Sequence, residues 1–199
     1  MRTFSLIDCY IDEPTCLGVP PYISTYPRYI AGAINNFDPN ISINYFTIDQ
    51  IRTNNEILKT INLSDIVIFI AGLTVPGKYL AGYPASPQEI NRLSESLKKP
   101  IKMICGSAAK YGFGTFGGKH TINLESLNSL FDVIIKGDPE IVISDFLKEN
   151  KKIDEISISL TRKNASEIKE YAIKGASIVK KHPYFPNRII TEIETYRGC

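Results

Sequence analysis

The chain has 199 residues, of which 43% are hydrophobic and 22% are charged, and its formal net charge is +2. These are the values of an ordinary globular protein, so they exclude a disordered, fibrous or repetitive chain. One domain of roughly 150 residues with an appendage of about 50 residues fits this length, whereas two full enzymatic domains do not.

Charge and hydropathy also limit the partners. Basic residues concentrate over Lys148–Lys181, but their spacing is typical of a solvated helix face, so nucleic acid is not an expected partner. No stretch reaches the roughly 18 consecutive apolar residues of a membrane span, and the first residues lack the apolar core of a signal peptide. The four cysteines are spaced too irregularly for a zinc ribbon or a disulfide framework. We therefore expect a cytoplasmic protein with reduced thiols.

Short β-branched runs alternate with helical patterns along residues 1–150. The predicted strands are Phe4–Tyr10, Ile43–Ile48, Asp65–Gly72, Ile101–Ser107 and Phe131–Gly137. The third and fifth are nearly continuous apolar runs, as expected for strands that are covered on both faces. The pattern predicts an α/β domain over residues 1–150 with a doubly wound five-stranded parallel sheet.

The intervening helices show recognisable starts. The first is predicted to begin near Thr25, and the second to span Gln50–Ile61. The third begins at Ser86–Pro87, where Glu89 completes a capping box, and the fourth begins at Asp138–Pro139 and runs to about Asn150. The residues expected to be buried on the first and third helices are Ile30, Ile34, Phe37, Ile90, Leu93 and Leu97.

Three connections that leave predicted strands are long, namely Ile11–Ser24, Leu73–Ser86 and Ala108–Thr121. Structureless loops of about 12 residues or more are usually functional or disordered. In a doubly wound sheet these loops share the carboxyl edge, where ligands bind. They are rich in glycine, proline and aromatic residues, which allow close backbone approach and stacking. This composition favours a bulky, partly planar small-molecule ligand or a neighbouring domain, and the alternative is a set of mobile surface loops.

Candidate binding residues lie at the predicted strand ends and in these loops. The segment Gly112–Gly117 matches G-x-G-x-x-G, but it follows the fourth strand rather than the first, so it indicates nucleotide binding only weakly. Asp138 and Glu140 are explained as a helix cap and a first-turn acid, whereas Asp12 and Glu13 have no such structural duty. The candidate cofactor-binding residues are Asp12, Glu13, Gly72, Gly106, Ser107, Gly112, Gly114, Gly117, Gly137 and Glu140.

No catalytic residue is predicted. His120 and His182 are the only histidines, and the interpretation of each as structural or solvated is favoured over a ligand contact. Ser107 lacks an obvious general base, which argues against a serine hydrolase. Cys9 and Cys105 are expected to be small buried hydrophobic residues.

Residues 151–199 break the alternation of strands and helices. A strand with one exposed face is predicted over Lys152–Lys163, a helix over Asn164–Lys181, and a last strand over Arg188–Tyr196 that leads into the terminal Arg-Gly-Cys. The apolar face of the helix is expected to contain Ile168, Ala172, Ile173, Ala176 and Val179. We interpret this region as a linker helix followed by the first strand of another domain.

The ending EIETYRGC resembles the approach to the iron–sulfur motif of radical S-adenosylmethionine enzymes. In that family the first barrel strand ends in Arg-Gly-Cys, and this cysteine opens the motif C-x-x-x-C-x-x-C. The upstream chain resembles the Rossmann-like, cobalamin-binding-like domain of many such enzymes, including KGDPE where the family typically has G-E-x-E. The resemblance implies that Cys199 is one ligand of a 4Fe–4S cluster. It also implies that the cluster reduces S-adenosylmethionine to a 5′-deoxyadenosyl radical that abstracts a substrate hydrogen.

Two departures from the family shape these expectations. The chain stops at Cys199, and one thiolate cannot hold a four-iron cluster, so we expect an inactive amino-terminal part of a longer enzyme whose missing barrel is its partner. Cobalamin domains that supply a lower histidine carry D-x-H-x-x-G after the first strand, where this chain has DCYIDE, so any cobalamin would need another lower ligand or none.

Two other interpretations stay open. One is a free-standing flavodoxin-like module that binds a nucleotide, a flavin or a corrinoid in its long loops. The other is an interaction domain without a ligand, in which Arg188–Thr195 docks as an edge strand or pairs between subunits.

Overall fold

The computed structural model describes residues 2–10, 24–72, 83–114, 121–122, 129–189, 191 and 194. Its strands are β1 (Thr3–Asp8), β2 (Ser42–Thr47), β3 (Ile66–Ile70), β4 (Ile101–Cys105), β5 (Phe113–Gly114), β6 (Thr121–Ile122) and β7 (Val133–Ile134). Its α-helices are α1 (Thr25–Phe37), α2 (Ile48–Thr53), α3 (Glu56–Asn62), α4 (Pro87–Ser96), α5 (Ser107–Tyr111), α6 (Pro139–Lys148) and α7 (Ile168–Lys174). Short 3₁₀ helices cover Ile153–Glu155, Ala165–Glu167 and Ala176–Lys181.

Five strands form one all-parallel sheet in the order β2-β1-β3-β4-β7. The chain therefore starts near the middle of the sheet, builds one strand outward on one side, and then builds the others on the opposite side. This is the flavodoxin-like order of a doubly wound α/β domain. It confirms the fold class that the alternating pattern predicts. Strands β5 and β6 form a separate antiparallel pair.

The hydrophobic core has two layers, one on each face of the sheet. Phe4 and Leu6 of β1 point into the layer that contains α1 and α6, whereas Ile7 points into the layer formed with α2, α3, α4 and α5. Every residue of β3 is buried. The central strand is thus covered on both faces, which explains its continuous apolar sequence.

The strands end earlier at the carboxyl edge than the sequence predicts. Strand β1 stops at Asp8 because Tyr10 adopts a positive φ of 60°, which takes the chain out of the extended conformation. Strand β7 covers only Val133–Ile134 of the predicted Phe131–Gly137. The amides of Lys136 and Gly137 donate instead to the carbonyl of Ile158, so later residues supply the hydrogen bonds there.

The predicted second helix is wrong in its extent, because the structure has two helices in its place. Thr47 caps α2 and forms a capping box with Gln50, so the helix begins earlier than expected. Asn54 adopts an extended conformation that ends α2, and its side-chain oxygen accepts a hydrogen bond from the amide of Glu56 at the start of α3. The prediction that Phe37 is buried is also wrong, since this last residue of α1 is 46% exposed.

Two predicted caps are only partly correct. Ser86 caps α4 by accepting a hydrogen bond from the amide of Glu89, but the carboxylate of Glu89 binds Arg52 instead of reaching back to complete a capping box. Asp138 occupies the N-cap position of α6 without a side-chain capping bond. Its carboxylate accepts a hydrogen bond from the amide of Arg162, because the later chain lies against this helix start.

The third long connection is not structureless. It includes residues of α5, β5 and β6, and only residues 115–120 of this connection lie outside the described part of the chain. The first two long connections fall mostly on residues 11–23 and 73–82, which also lie outside it.

The strand predicted over Lys152–Lys163 is wrong, because a 3₁₀ helix and a turn occupy this region. The segment nevertheless lies beside the edge strand of the sheet. The carbonyls of Ile158 and Leu160 accept hydrogen bonds from residues that follow β7, including the amide of Asp138 at 2.8 Å. A Cβ on Gly137 would lie 2.0 Å from the Leu160 carbonyl oxygen, so glycine allows this close approach.

The helix predicted over Asn164–Lys181 is divided into α7 and two flanking 3₁₀ helices. Its buried face contains Tyr171 and Ile178, whereas Ile173 is 66% exposed, contrary to the predicted apolar face. Backbone contact explains the rotation of this face. A Cβ on Gly32 of α1 would lie 1.9 Å from the Tyr171 carbonyl oxygen, so α7 packs directly on the backbone of α1.

The last predicted strand, Arg188–Tyr196, is described only at residues 188, 189, 191 and 194, and none of these is in a strand. The other residues of that stretch, and Cys199, lie outside the described part of the chain.

Candidate functional site

The strand order places a topological switch point between β1 and β3. After β1 the chain builds β2 on one side, and after β3 it builds β4 on the other. In open α/β sheets, ligands bind at the carboxyl ends of the strands that flank such a point. Residues 11–23 follow the end of β1 and residues 73–82 follow the end of β3, so the two longest connections both start at this point.

Asp8, the last residue of β1, is the most buried acid at the switch point. It has no exposed surface, and its carboxylate accepts hydrogen bonds from the Tyr45 hydroxyl at 2.7 Å and the Tyr10 amide at 3.0 Å. Burial, and then the nearby Asp8 charge, raise the pKa of Tyr45 well above its usual value. Tyr45 therefore stays protonated and holds the Asp8 carboxylate in place.

A second group of charges, which we call the Arg52 cluster, consists of Asp49, Arg52 and Glu89. Arg52 binds the Asp49 carboxylate at 2.7 Å and both oxygens of Glu89 at 2.8 and 2.7 Å. It also donates to the carbonyls of Tyr83 and Pro84 at 2.7 and 3.4 Å. These contacts occupy all five guanidinium N–H donors. Burial alone would lower the pKa of Arg52, but the bonds to Glu89 and Asp49 outweigh it and raise the pKa above the usual value.

The Arg52 cluster joins the boundaries of the two long connections. The Tyr10 hydroxyl donates to Asp49 at 2.9 Å, so the residue just before residues 11–23 is tied to the cluster. Tyr83, just after residues 73–82, is tied to it through Arg52. The Ala85 amide also donates to the Cys9 carbonyl at 2.9 Å. The boundaries of both connections are thereby held in one relative position.

The carboxyl ends of β3 and β4 approach each other closely at Gly106. This residue has a φ of 95°, and a Cβ there would lie 2.4 Å from the Ala71 carbonyl oxygen. The Ala71 amide donates to the Cys105 carbonyl and the Ala71 carbonyl accepts from the Ala108 amide, at 2.9 and 3.1 Å. Glycine is thus required by both conformation and space.

The two described cysteines lie beneath this edge. Cys9 and Cys105 are buried free thiols, as the sequence predicts. Burial, followed by the Asp8 charge, raises the pKa of Cys9 well above its usual value. A thiol in this state is neither a good nucleophile nor a good metal ligand at neutral pH.

A third group of charges, the Arg162 cluster, consists of Glu140, Arg162 and Glu194 at the edge-strand side of the sheet. The Glu140 side chain is fully buried, and its carboxylate lies 3.9 Å from the Arg162 guanidinium. Arg162 also forms a salt bridge with Glu194, whose side chain is 8% exposed. One guanidinium therefore stands between two buried carboxylates.

The Arg162 cluster fixes the end of the described chain at the carboxyl edge. Glu194 contacts it near the start of α6, and Thr191 accepts a hydrogen bond from Arg28 in the first turn of α1 at 3.3 Å. Both helices begin at this edge, because each follows the carboxyl end of a strand. The segment that leads to Cys199 is thus attached at two points.

The structure separates the predicted binding residues into two places. Gly72, Gly106 and Ser107 lie at the neighbouring ends of β3 and β4, and Gly112 and Gly114 follow at the end of α5 and in β5. Gly137 and Glu140 lie beyond β7, where they contact the later chain. Asp12, Glu13, Gly117 and Cys199 lie outside the described residues.

Tyr45 and Arg52 were not found from the sequence. Tyr45 meets Asp8 across 37 positions and Arg52 meets Glu89 across another 37, so no local motif joins these partners. Asp8 did offer a signal, since a carboxylate at the end of an apolar strand needs a partner.

Within the part of the chain that the structure describes, no helix is long and apolar enough to cross a membrane. Nor do the described side chains bring three or more histidine, cysteine, aspartate or glutamate residues into a group that could hold a metal ion.

Comparison with known proteins finds two similar archaeal chains. The chain is 45% identical over 198 residues to the uncharacterized protein MJ0274 of Methanocaldococcus jannaschii, and 39% identical over 197 residues to an uncharacterized protein of Archaeoglobus fulgidus. Each match covers 98% of this chain. It covers only 34% and 32% of the relatives, so the chain spans about a third of their length. No protein-family profile and no solved structure matches it.

Proposed function

We propose that this chain is the amino-terminal Rossmann-like domain of a radical S-adenosylmethionine protein, and that its carboxyl edge faces the catalytic barrel. The observation that supports this most is the attachment of Thr191 and Glu194 to that edge. Cys199 follows Glu194 by five residues, so it can lie at most about 18 Å from the Arg162 cluster. This reach is long enough for Cys199 to lie in front of the carboxyl edge, as the proposal requires.

The described residues do not by themselves fit an iron–sulfur cluster. Cys9 and Cys105 are buried thiols under the sheet edge, and a four-iron cluster needs several thiolates together. In the proposal, this chain contributes Cys199 alone, and the other ligands come from the rest of a longer protein. The relatives, about three times as long as the matched region, agree with this arrangement.

The proposed role of the domain is to form one wall of the reaction chamber. The charged groups of the Arg52 cluster bind one another, and Asp8 is held by Tyr45. The polar groups of this wall are therefore already in place before a partner docks. Organised polar groups need little rearrangement when water is excluded.

A protein histidine as the lower ligand of a corrinoid is not part of this proposal. Tyr10 stands where D-x-H-x-x-G has its histidine, and its hydroxyl donates to Asp49. Burial is the main cause of the raised pKa of Tyr10, so the hydroxyl stays protonated. A corrinoid at this edge would therefore be bound without a lower ligand from this position.

A second candidate is a binding module that holds a nucleotide, a flavin or a corrinoid at the switch point. The close approach of the backbone at Gly106, beside the end of β3, favours it. Titration of the whole chain with flavin mononucleotide, AMP and cobalamin would separate the candidates. Binding that is lost in Gly106→Ala but kept in the exposed variant Lys110→Ala would favour the module.

The radical-enzyme proposal is tested on the longer protein. We expect the reading frame to continue with two cysteines at the spacing C-x-x-x-C-x-x-C from Cys199, and anaerobic reconstitution with iron and sulfide to give cluster absorbance. Cys199→Ala should abolish that absorbance, whereas the control Cys16→Ala should leave it unchanged. A natural stop codon after Cys199, or unchanged absorbance in Cys199→Ala, would contradict the proposal.

A cytoplasmic location belongs to the same proposal. Cys9 and Cys105 are free thiols, and reduced thiols and oxygen-sensitive clusters both persist in a reducing compartment.

A further inference from the structure

The opposite edge of the sheet contains a groove of about 520 Å³ that the proposed function does not use. We call it the basic groove, and it is lined by Arg2, Lys99, Lys151 and Lys152 around a floor that includes Ile101 and Phe146. These cations come from three widely separated parts of the chain, the start of β1, the start of β4 and the residues after α6. The fold, rather than a local run of lysines, brings them together.

The positive charge of the basic groove is only partly compensated, by Asp65, Asp145 and the Glu155 carboxylate that accepts a hydrogen bond from the Lys152 amide at 3.0 Å. Lys151 pairs with Asp145 at 2.6 Å, and the one lining acid, Asp65, already accepts a hydrogen bond from the Thr3 amide at 2.7 Å. Among the described residues, Arg2, Lys99 and Lys152 form no salt bridge. With Lys151 paired to Asp145, the three other cations face one lining acid, Asp65. The lining thus has a surplus of two positive charges.

The shape of the groove is held by uncharged contacts. The Asn62 side-chain oxygen accepts hydrogen bonds from the amides of Lys98 and Lys99, at 2.9 and 3.3 Å, which fixes the turn before β4. The Arg2 guanidinium lies 6.0 Å from the centre of the Phe146 ring and bonds the Asn150 side-chain oxygen at 3.4 Å. Neither contact neutralises a charge, so the charged groups of Arg2 and Lys99 stay available to an anion.

We propose that the basic groove binds a phosphorylated small molecule of about nucleotide size. A cavity of this volume lies within the range of small-molecule sites, about 300–1,000 Å³, and is much larger than one phosphate group. The exposed cations would meet the phosphate, and the apolar floor would contact the organic part of the ligand. This site is separate from the carboxyl edge, and it stands whether or not the radical-enzyme proposal holds.

The experiment is calorimetric titration of the whole chain with AMP and with inorganic phosphate at low ionic strength. We expect AMP to bind more tightly than phosphate, and added salt to weaken both because the contact is electrostatic. The double variant Lys99→Glu/Lys152→Glu should weaken AMP binding by about tenfold or more, since two attractive charges become repulsive. The control Lys169→Glu reverses an exposed charge on α7 and should leave the affinity unchanged.

Amide chemical shifts locate the bound ligand. AMP should shift the amides of residues 62–66 and 151–153, and circular dichroism should show the same fold in all variants. Any one of four results would overturn the proposal. These are no AMP binding, equal binding of AMP and phosphate, equal weakening in Lys169→Glu, or shifts confined to residues 8–10 and 106–107. If AMP does not bind and polyglutamate does, the basic groove instead fits an acidic protein partner.

Discussion

The two edges of the same sheet handle charge in opposite ways. At the carboxyl edge, Arg52 and Arg162 each stand between two carboxylates, and the Glu140 and Glu194 side chains are at most 8% exposed. At the amino edge, Arg2, Lys99 and Lys152 are exposed and make no salt bridge within the described residues. The carboxyl edge uses charge to hold its own chain segments together, whereas the amino edge presents charge to the solvent.

The two edges should therefore differ in how well they tolerate substitution of a charged residue. Buried, interlocked charges are costly to break, because the remaining partner is left desolvated. Exposed charges contribute little to stability, and they act mainly on the approach of other molecules. Removal of one charge should therefore have very different effects at the two edges.

Among these substitutions, Arg162→Ala should destabilise the protein most. Loss of this guanidinium leaves Glu140 and Glu194 buried without their shared cation, which should lower the free energy of unfolding by about 3–5 kcal/mol. Chemical denaturation measures the change. The matched control Lys99→Ala at the amino edge should change stability by less than about 0.5 kcal/mol. Equal effects of the two substitutions would show that the edges do not differ as described.

The next effect concerns the backbone at the carboxyl edge. Gly106→Ala should lower the free energy of unfolding by about 1–3 kcal/mol or more, because the new Cβ meets the Ala71 carbonyl oxygen at a strained φ. Lys110→Ala, on the exposed side of α5, is the control. A neutral Gly106→Ala would mean that this edge adapts more easily than its contacts indicate.

A smaller effect is expected for Arg52→Lys. Lysine keeps the charge but offers three donors instead of five, so the carbonyls of Tyr83 and Pro84 should lose their bonds first. We expect a loss of about 1–2 kcal/mol. Faster hydrogen exchange at the Ala85 amide would report local loosening. Arg92→Lys on α4 should leave that exchange rate unchanged, and a similar rate in both variants would argue against the joining role of Arg52.

The smallest effect is a pH dependence at His182. This residue is buried, its Nδ1 atom accepts a hydrogen bond from the Tyr184 amide, and burial lowers its pKa from 6.5. The unfolded chain therefore binds a proton that the folded chain does not, so stability should fall as the pH drops through 6.5. His182→Gln should reduce this slope between about pH 7.5 and pH 5.5. An unchanged slope in thermal unfolding would assign the pH dependence to other groups.

The sequence was sufficient for the parts of the fold that depend on local pattern. Continuous apolar runs such as Ile66–Ile70 are typical of buried parallel strands, and the cap at Ser86 depends on residues only three positions apart. The alternating apolar pattern over Lys152–Lys163 predicted a strand wrongly, because hydrogen bonds to the residues after β7 determine the conformation there. Long-range glycine contacts, such as that of Gly32 with Tyr171, likewise set the buried face of α7.

The location of the candidate site could be predicted from the sequence, but the residues that form it could not. Loop lengths indicated the carboxyl edge, and the strand order agrees with that position. Tyr45, Arg52 and Arg162 meet their partners only through the tertiary fold, so local spacing had no means of identifying them.

Pulsed EPR can locate Cys199 relative to the two edges of the sheet, and the proposal places it in front of the carboxyl edge. Spin labels would be placed on Cys199 and on either Lys110→Cys, after the carboxyl end of β4, or Lys99→Cys, before its amino end. The background is Cys16→Ser, and Cys9 and Cys105 are buried. We predict a shorter pulsed-EPR distance from Cys199 to position 110 than to position 99. A shorter distance to position 99 would show that the chain end lies at the wrong edge for this account.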